Sequence, residues 1–431
     1  MSLVDKPTEL GTPLPATEAR VQEAPRKLKA AIVMTIFGLI ALVFFGILGK
    51  NEDASFAWSD AGDAIALPNF VVNSQLFGIV LGVAMLAIAA ASWFLGLNRR
   101  PTPTWLIIPF GVFWVWALVG WVGAGTRIPV EFILTGALAL STPVVFGALA
   151  GVIGERVGVA NIAIEGQLLM GAFLAAVTAS VTGSLIAGLF AAMLGGALVS
   201  IVLAAFSIKY FVDQIIVGVV LNVLTLGITN FLFSAVLSDN SAELNFPGTL
   251  PFLPIPLLSD IPVIGSVLFD QRITTYAMFV LVPLVWFILF KTKIGLRIRA
   301  VGEHPLAADT VGINVNRTRF WTVTAAGTIA GLGGGALTIG SVGAFVQGMS
   351  AGQGFIALAA VILGRWNPWL TTAAALLFGF SRNFRIWAGQ AGSTIPLDLI
   401  AMTPYLVTLI AVAGLVGRSV GPAGVGKPYI K

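Results

Sequence analysis

The chain has 431 residues, of which 57% are hydrophobic and 10% are charged. A soluble domain carries about 25% charged residues, so the composition excludes a soluble globular protein and predicts an integral membrane protein made of helices. The chain has no cysteine and one histidine, which excludes disulfides and histidine-based metal sites. Its net charge of +5 is spread over many loops, so the charge does not indicate nucleic-acid binding.

Apolar segments of about 20 residues predict helices that cross the hydrocarbon core of a membrane. Residues 1–28 are polar and Pro-rich without a cleavage site, which predicts a disordered cytosolic tail. The predicted crossings are 29–49, 76–97, 104–124, 131–153, 161–181, 183–206, 214–237, 274–290 and 317–340, then the short segments 355–364 and 368–381, then 398–417. The sequence therefore predicts an all-α polytopic membrane protein with about 12 crossings, some short or broken.

A weak internal similarity relates "GVANIAIEGQLLMGA" to "GQGFIALAAVILGRW". Residues 131–237 and 317–417 would each form a unit of four crossings, and the span 274–290 would join them. The two units then run in opposite directions, as in the inverted repeats of many transport proteins. Residues 29–125 stand outside this pattern, which predicts an appended module of three transmembrane helices.

The basic residues predict the orientation of the chain. With both termini in the cytosol, 18 of the 24 Lys and Arg residues lie on the inside. The positive-inside rule favours this arrangement over the reversed one.

The segment "GERVGVANIAIEGQLLMG", residues 154–171, places polar side chains among apolar ones. Glu165, Asn161 and Gln167 would be costly facing lipid, so they are expected to face the protein interior or a watery path. Glycines around Glu165 weaken a helix. Two readings remain open: the carboxylate supports broken backbone, or it lies beside a translocation path.

The segment "GSVGAFVQGMSAGQGF", residues 340–355, is predicted on the outer side. Phe345, Gln347 and Gln353 could stack on and hydrogen-bond a flat polar solute, although composition alone slightly favours an ordinary tight loop between helices. Asn222, on the predicted span 214–237, could line a polar path or hold helices together. The candidate residues of a substrate path are Asn161, Glu165, Gln167, Asn222, Phe345, Gln347 and Gln353.

The basic segment 291–317 is predicted to be a cytosolic loop that joins two spans. Within it, "HPLAADTVGI" predicts one short helix, with Pro305 in the first turn and Gly312 as the stop. A solvated connector would explain the basic residues, but a compact Ala-rich helix also suits insertion into a groove on a soluble partner.

The chain has no phosphate-cradling G-x-x-x-x-G-K-[ST] motif and no catalytic constellation, so it is not expected to be an enzyme or to hydrolyse ATP. A proton-coupled secondary carrier is the main alternative from the residues alone, with Glu165 as its proton site. Such carriers usually place several titratable groups in the membrane, and only Glu165 is a firm case here.

Three of these segments together resemble a known family. "GERVGVANIAIEGQLLMGAF", "GLRIRAVGEHPLAADTVGINV" and "GQGFIALAAVILGRWNP" are similar to the nucleoside permeases of bacterial ATP-binding-cassette importers, within the wider group of ribose, galactoside and branched-chain amino acid permeases. The C-terminal "GLVGR…GKPYIK" resembles the second permease of nucleoside systems that use a basic-membrane-protein-type lipoprotein. The likeness runs from about residue 130 to 431.

The resemblance implies a permease core over residues 126–431, in a bacterial plasma membrane, that moves nucleosides into the cytoplasm without a cofactor. It implies three partners: a cytosolic ATPase, a second permease subunit and an external binding lipoprotein. A simple sugar or branched-chain amino acid remains an alternative substrate. The resemblance assigns the short helix to ATPase coupling, with candidate residues Arg297, Glu303, His304, Pro305, Ala307, Ala308, Asp309 and Gly312.

Overall fold

The computed structural model describes residues 28–59, 65–392, 396–402, 405 and 421–430. Its helices are α1 Lys29–Ile40, α2 Ser74–Leu97, α3 Thr104–Val122, α4 Val130–Arg156, α5 Ile164–Thr182, α6 Leu185–Ala204, α7 Gln214–Leu232, α8 Ser241–Leu244, α9 Ile273–Lys291, α10 Lys293–Glu303, α11 Pro305–Thr310, α12 Val315–Leu337, α13 Gln353–Leu363 and α14 Pro368–Gln390. Its strands are β1 Asp53–Ala57, β2 Phe70–Asn73, β3 Arg127–Pro129, β4 Phe252–Pro254 and β5 Asp270–Arg272.

Several of these helices begin at a side chain that accepts a backbone N–H of the first turn. Asn73 caps α2, Asp213 caps α7, Thr292 caps α10, and Asn314 and Asn367 cap α12 and α14. These short polar side chains replace the partners that the first N–H groups of a helix lack.

Within the described residues, nine helices are long and apolar enough to cross a membrane. They coincide with the nine long crossings predicted from the sequence, which confirms an all-α polytopic membrane protein. Four of them continue into a π-helical turn, namely Ala41–Ile47, Ala205–Lys209, Phe233–Leu237 and Thr338–Val342. The first predicted short segment is the helix α13, and the second is part of α14, which runs nine residues further than expected, to Gln390.

Two predictions fall largely outside the described residues. These are the disordered tail over residues 1–28, of which only residue 28 is described, and the final crossing 398–417. Of this crossing, residues 398–402 are described as helical.

Helices α1, α2 and α3 pack together around Met34, Phe45, Met85 and Phe110. The chain between and after them forms a small sheet in the order β2–β1–β3, in which β1 pairs antiparallel with β2 and parallel with β3. Because β3 leads directly into α4, this sheet links the three helices to the rest of the chain.

The rest of the chain is organised around α4 and α12, which pack against each other. Helix α4 also packs along α14, and α12 packs along α6. In the predicted repeats α4 corresponds to α12 and α6 to α14, so each first helix lies against the third helix of the opposite unit. The inverted orientation of the two units stays a prediction.

Glycine lets these central helices approach closely. A Cβ on Gly331 would meet backbone of Ala192, and one on Gly334 would meet backbone of Leu168. The sequence "GLGGG", residues 331–335, therefore serves close helix packing, as small residues commonly do in membrane proteins.

Candidate functional site

The carboxylate of Glu165 lies at the start of α13. Its Oε1 accepts the backbone N–H of Gly352 at 2.7 Å, and its Oε2 accepts the N–H of Gly354 at 2.6 Å. A charged acceptor at a helix N-terminus satisfies N–H groups that have no partner within the helix. Glu165 thus connects the first turn of α5 to the first turn of α13. This contact corresponds to the reading in which the carboxylate supports broken backbone.

The backbone is non-helical between α4 and α5, at residues 157–163, and Gly158 has a φ of +88°. Side-chain amides supply the partners that this backbone lacks. The Nδ2 of Asn222 donates to Ile162 O at 2.8 Å, while its Oδ1 accepts the N–H of Gly166 at 2.8 Å. The Oε1 of Gln214 accepts the N–H of Ala160 at 2.7 Å. The helix α5 runs unbroken through Glu165, Gly166 and Gly171, so the non-helical backbone lies before Glu165, between two predicted crossings, and not around it. Asn161 lies before α5 and shares no helical face with Glu165.

Asn161 and Gln167 form a buried amide pair. Gln167 Nε2 donates to Asn161 Oδ1 at 2.9 Å and to Ser200 Oγ on α6 at 2.8 Å, and Asn161 Nδ2 donates back to Gln167 Oε1. Both side chains are 0% exposed and line none of the cavities described below. Their hydrogen bonds hold α5 against α6, which is the role of helix support left open by the sequence.

The chain between α12 and α13, residues 343–352, is also non-helical and partly buried. Asn245 hydrogen-bonds the backbone of Phe345 in both directions: its Oδ1 accepts the N–H at 2.7 Å, and its Nδ2 donates to the carbonyl at 2.9 Å. The Phe345 ring is 1% exposed and stacks edge-on against Phe173, with ring centroids 5.2 Å apart. In this conformation the ring is packed in protein and is not open to a solute.

Gln347 lies on the surface, where its Nε2 donates to Ser234 Oγ at 3.0 Å and to Asn230 O at 3.3 Å. It therefore connects the segment 343–352 to the end of α7. The structure brings Glu165 and Gln353 together at one point and leaves Gln347 apart from them.

Three adjoining cavities follow one face of α4. The first, of about 440 Å³, lies beside Glu131, Thr135, Ala139 and Thr142 of this helix. The second, of about 160 Å³, lies beside Ala139, Leu140 and Pro143, and the third, of about 250 Å³, beside Leu140 and Val144. The first and second share three lining residues, as do the second and third, so the cavities form a series along the helix.

Gln353 and Arg382 line both the second and the third cavity. The first cavity is lined on its other side by Asp270 and Arg272, just before α9. Partial burial lowers the pKa of Arg272 from its ordinary value, and its guanidinium lies 4.8 Å from the centroid of the Phe252 ring. The first cavity is thus lined mostly by polar residues, whereas the second and third combine a few polar groups with apolar side chains.

The sequence reasoning found Gln353 but missed Arg382, Asp270, Arg272 and Thr135 as cavity-lining residues. The sequence did contain a signal for Arg382. Its charged side chain comes one residue after the apolar segment, and such a position is compatible with a helix that continues beyond the segment. The predicted segment ended at residue 381, which placed Arg382 in a loop. Nothing in the sequence distinguishes the other three. Thr135 lies near the start of the predicted crossing 131–153, and Asp270 and Arg272 lie just before the predicted crossing 274–290.

The polar residues at the C-terminal end of α4 hold the turn that follows α13. The backbone of Arg365 and Trp366 has positive φ values of 52° and 54°. Arg156 donates to the Trp366 carbonyl at 3.1 and 3.2 Å, and Glu155 accepts the indole N–H of Trp366. These contacts fix a strained backbone turn.

The predicted short helix is α11, and its presence is confirmed with narrower bounds than the sequence indicated. Pro305 is in its first turn, and Gly312, with a φ of +85°, follows its end. Ala307 and His304 are exposed, as is Arg297 on α10, whereas Ala308 is 3% exposed and packs inward. The apolar side chains of Leu306 and Val311 are 68% and 74% exposed. The outward surface of α11 is thus more apolar than its two alanines suggested.

The C-terminal segment 421–430 lies across α10 and α11. Gly424 N–H donates to Gly302 O at 2.8 Å, and Glu303 accepts the N–H of Ala423 at 3.2 Å. Tyr429 is 6% exposed and hydrogen-bonds Asp309; burial, together with this bond and the charge of Asp309, raises the pKa of Tyr429. Two of the residues predicted for coupling, Glu303 and Asp309, are therefore partners of the C-terminal segment.

Residues 133–415 match the family described as "Branched-chain amino acid transport system / permease component". The chain is 40% identical over 314 residues to the Guanosine ABC transporter permease protein NupQ of Bacillus subtilis, covering 70% of this chain and 97% of NupQ. It is 37% identical over 310 residues to the Nucleoside ABC transporter permease protein NupC of Lactococcus lactis, with coverage of 70% and 97%.

The Putative glucose ABC transporter permease protein TsgC13 of Haloferax volcanii is 34% identical over 306 residues, covering 67% of this chain and 92% of TsgC13. No solved structure matches the chain at a significant level. The matched residues include the non-helical segments 157–163 and 343–352, α11 and most of the residues that line the cavities. The chain belongs to the permease components of the branched-chain amino acid transport type.

Proposed function

We propose that the chain is the membrane-spanning permease subunit of an ATP-driven importer that moves nucleosides into the cytoplasm. The observation that carries this proposal is the similarity, at 37–40% identity over nearly their whole length, to two permeases named for guanosine and nucleoside transport. The cavities agree with this substrate class, because they combine an apolar wall with a few amide and charged groups, as small-molecule sites do.

In this proposal the energy comes from a separate cytosolic ATPase that docks on α11. The exposed apolar side chains of Leu306 and Val311 on a cytosolic helix favour docking of a protein partner. A second permease subunit and an external binding lipoprotein complete the importer. The chain itself catalyses no reaction.

A proton-coupled carrier is disfavoured by the contacts of Glu165. Both carboxylate oxygens accept a backbone N–H, so a proton on either one would place a hydroxyl against a donor. A simple sugar is the second candidate substrate, because TsgC13 is named as a putative glucose permease.

Uptake by the complete importer in proteoliposomes tests the proposal. We expect labelled guanosine to accumulate in the vesicle lumen only when ATP is enclosed there together with the ATPase. Uptake should continue when the proton gradient is dissipated. Uptake that stops with the gradient while ATP is constant would indicate a secondary carrier. Uptake of glucose, with none of any nucleoside, would indicate the sugar permease.

The proposed orientation places both termini and the loop 291–317 in the cytosol, and residues 50–75 and 238–272 outside. Because the chain has no cysteine, single cysteines at Thr310 and Asp260 can be labelled selectively with an impermeant reagent. We expect labelling of intact cells at position 260 and not at position 310. The opposite pattern would reverse the assignment.

A further inference from the structure

The turn between α13 and α14 holds two consecutive non-glycine residues in the left-handed region of backbone conformation. Arg365 has a φ of +52° and Trp366 a φ of +54°. This conformation is unfavourable for residues with a Cβ, and it persists only where the surrounding structure holds it. Strained backbone of this kind is concentrated at sites of function and of conformational change.

Two elements hold Trp366 in this turn. From the end of α4, Arg156 donates twice to the Trp366 carbonyl, from Nε at 3.2 Å and from Nη2 at 3.1 Å, and Glu155 accepts the indole N–H. From the C-terminal segment, Gly421 lies against the indole, because a Cβ added to this glycine would come within 3.0 Å of the ring. The side chain of Trp366 is thereby enclosed, with 8% of the residue exposed.

Both of these elements also touch the last turn of α10. The carbonyl of Arg156 lies so close to Gly302 that a Cβ at residue 302 would overlap it. In the C-terminal segment, the N–H of Gly424 donates to Gly302 O at 2.8 Å, and the N–H of Ala423 donates to Glu303 at 3.2 Å. Helix α10 is therefore connected to Trp366 by two routes, one through α4 and one through the C-terminal segment.

Helix α11 is joined to the same contacts. Only His304 separates the end of α10 from the start of α11. Asp309 of α11 also hydrogen-bonds Tyr429, so the C-terminal segment holds both helices. Since packed contacts of this kind transmit displacement, a force applied to α11 reaches the turn at Trp366.

Helix α13 connects this turn to the cavities along α4. It has 11 residues and ends at Leu363, shortly before Trp366. At its other end Gln353 and Ile356 line the third cavity. A helix of this length spans about 16 Å as one rigid unit, so a shift of the turn at Trp366 changes the wall of that cavity.

We propose that Trp366 is a positioning residue for transport, which connects the helices α10 and α11 to α13 and so couples ATP hydrolysis to the shape of the cavities. This inference rests on the proposed function, because that function places the ATPase on α11. It does not depend on which solute is carried. The bond from the indole N–H to Glu155 is the contact that a conservative substitution can remove.

The test is the number of guanosine molecules taken up per ATP hydrolysed by the complete importer in proteoliposomes. We expect Trp366→Phe to lower this ratio about fivefold, because one hydrogen bond is lost while an aromatic ring still lies against Gly421. ATP hydrolysis without guanosine should be unchanged. A merely structural role would lower uptake and hydrolysis together and would leave their ratio as it is.

Trp369→Phe is the matched control. It makes the same change at a tryptophan that is 50% exposed in the first turn of α14, and it should leave the ratio unchanged. If Trp366→Phe does not insert, Glu155→Leu tests the same bond from the acceptor side and should lower the ratio as much. Glu155→Gln keeps an acceptor oxygen and should retain most of the ratio.

The double variant Trp366→Phe with Glu155→Leu should have a ratio no lower than either single variant, because both changes remove one shared bond. Additive losses, a native ratio in Trp366→Phe, or an equal loss in Trp369→Phe would overturn the inference while the proposed function stands. A native importer that takes up no nucleoside would overturn the proposed substrate. If it takes up glucose instead, the ratio of glucose to ATP still tests Trp366.

Discussion

At the scale of single residues, Glu165 shows how a carboxylate can be retained in an apolar segment. Burying a charge is costly unless it is hydrogen-bonded, and hydrogen bonds to a charged group contribute about 1.5–3 kcal/mol each. Each carboxylate oxygen of Glu165 accepts one backbone N–H, from residues 187 and 189 positions further along the chain. The charge therefore stabilises the start of a helix that has no other cap.

We expect Glu165→Gln to lower stability by about 1.5–3 kcal/mol, because the amide keeps one acceptor and places an NH₂ against the other backbone N–H. Glu165→Ala removes both bonds and should cost more. The measurement is the free energy of unfolding of the purified chain in detergent.

Glu243→Gln is the matched control, since Glu243 is exposed on α8. Equal stability of Glu165→Gln and the native chain would show that the two contacts contribute little.

At the scale of elements, two interruptions of helix, residues 157–163 and 343–352, are supported in the same way. Residues 157–163 are almost entirely buried, and residues 343–352 are partly buried. Each segment has an asparagine that bonds its backbone or the adjoining backbone in both directions, Asn222 for the first and Asn245 for the second. Non-helical backbone inside a membrane requires such partners.

Local sequence predicted the first interruption, because Gly158 and the polar residues around it break the apolar helical pattern. It also predicted α11 from Pro305 and Gly312. It did not predict that Asn245 would support Phe345, because the partner is 100 residues away. Contacts of this kind depend on how helices pack, and periodicity within a segment carries no information about them.

The two alanines of α11 were both predicted from the sequence as candidates for ATPase coupling, but they lie on different faces of the helix. Ala307 faces outward and Ala308 inward. Ala307→Trp should abolish uptake and ATPase stimulation with the chain's own stability unchanged, because the ring would block a partner surface. Ala308→Trp should overpack the interior and lower stability by about 1–3 kcal/mol.

Thermal unfolding of the permease alone, compared with uptake by the complete importer, distinguishes these effects. Normal uptake by Ala307→Trp would mean that this face of α11 contacts no partner. A stable Ala308→Trp variant would contradict the inward packing.

At the scale of the whole molecule, the C-terminal segment 421–430 connects α10, α11 and α12. Besides its contacts with α10 and α11, the carbonyl of Lys427 accepts a hydrogen bond from Arg319 at 3.0 Å. Arg319 is 2% exposed, so its guanidinium relies on this partner. The segment thereby connects the start of α12 to the loop that precedes it.

Deleting residues 421–431 should lower stability by at least about 1–3 kcal/mol, because Arg319 would keep its buried charge and lose a carbonyl partner. We expect insertion into the membrane to persist and ATP-dependent uptake to fall. If Arg319→Ala restores stability to the truncated chain, the unpaired guanidinium is the cause. Full uptake by the truncated chain would mean that the segment does not hold α10 and α11 in place.

The three N-terminal helices raise a different question, because about 30% of this chain lies outside its alignment with NupQ, which itself is covered to 97%. The family match begins at residue 133, after these helices. The largest hydrophobic cluster contains only residues from Leu138 onward, and the helices meet the rest through a smaller cluster with Phe384 and Trp387 on α14. The core therefore has its own packed interior.

We expect a chain that lacks residues 1–124 to insert and to support uptake within about threefold of the full-length rate, because lipid can cover the apolar face that the deletion exposes. Its unfolding midpoint should fall, since Phe384 and Trp387 lose their packing partners. Trp387→Ala in the full-length chain is the control, because it weakens the same contact without removing the helices. Normal insertion of the shortened chain with complete loss of uptake would instead show that the N-terminal helices take part in transport.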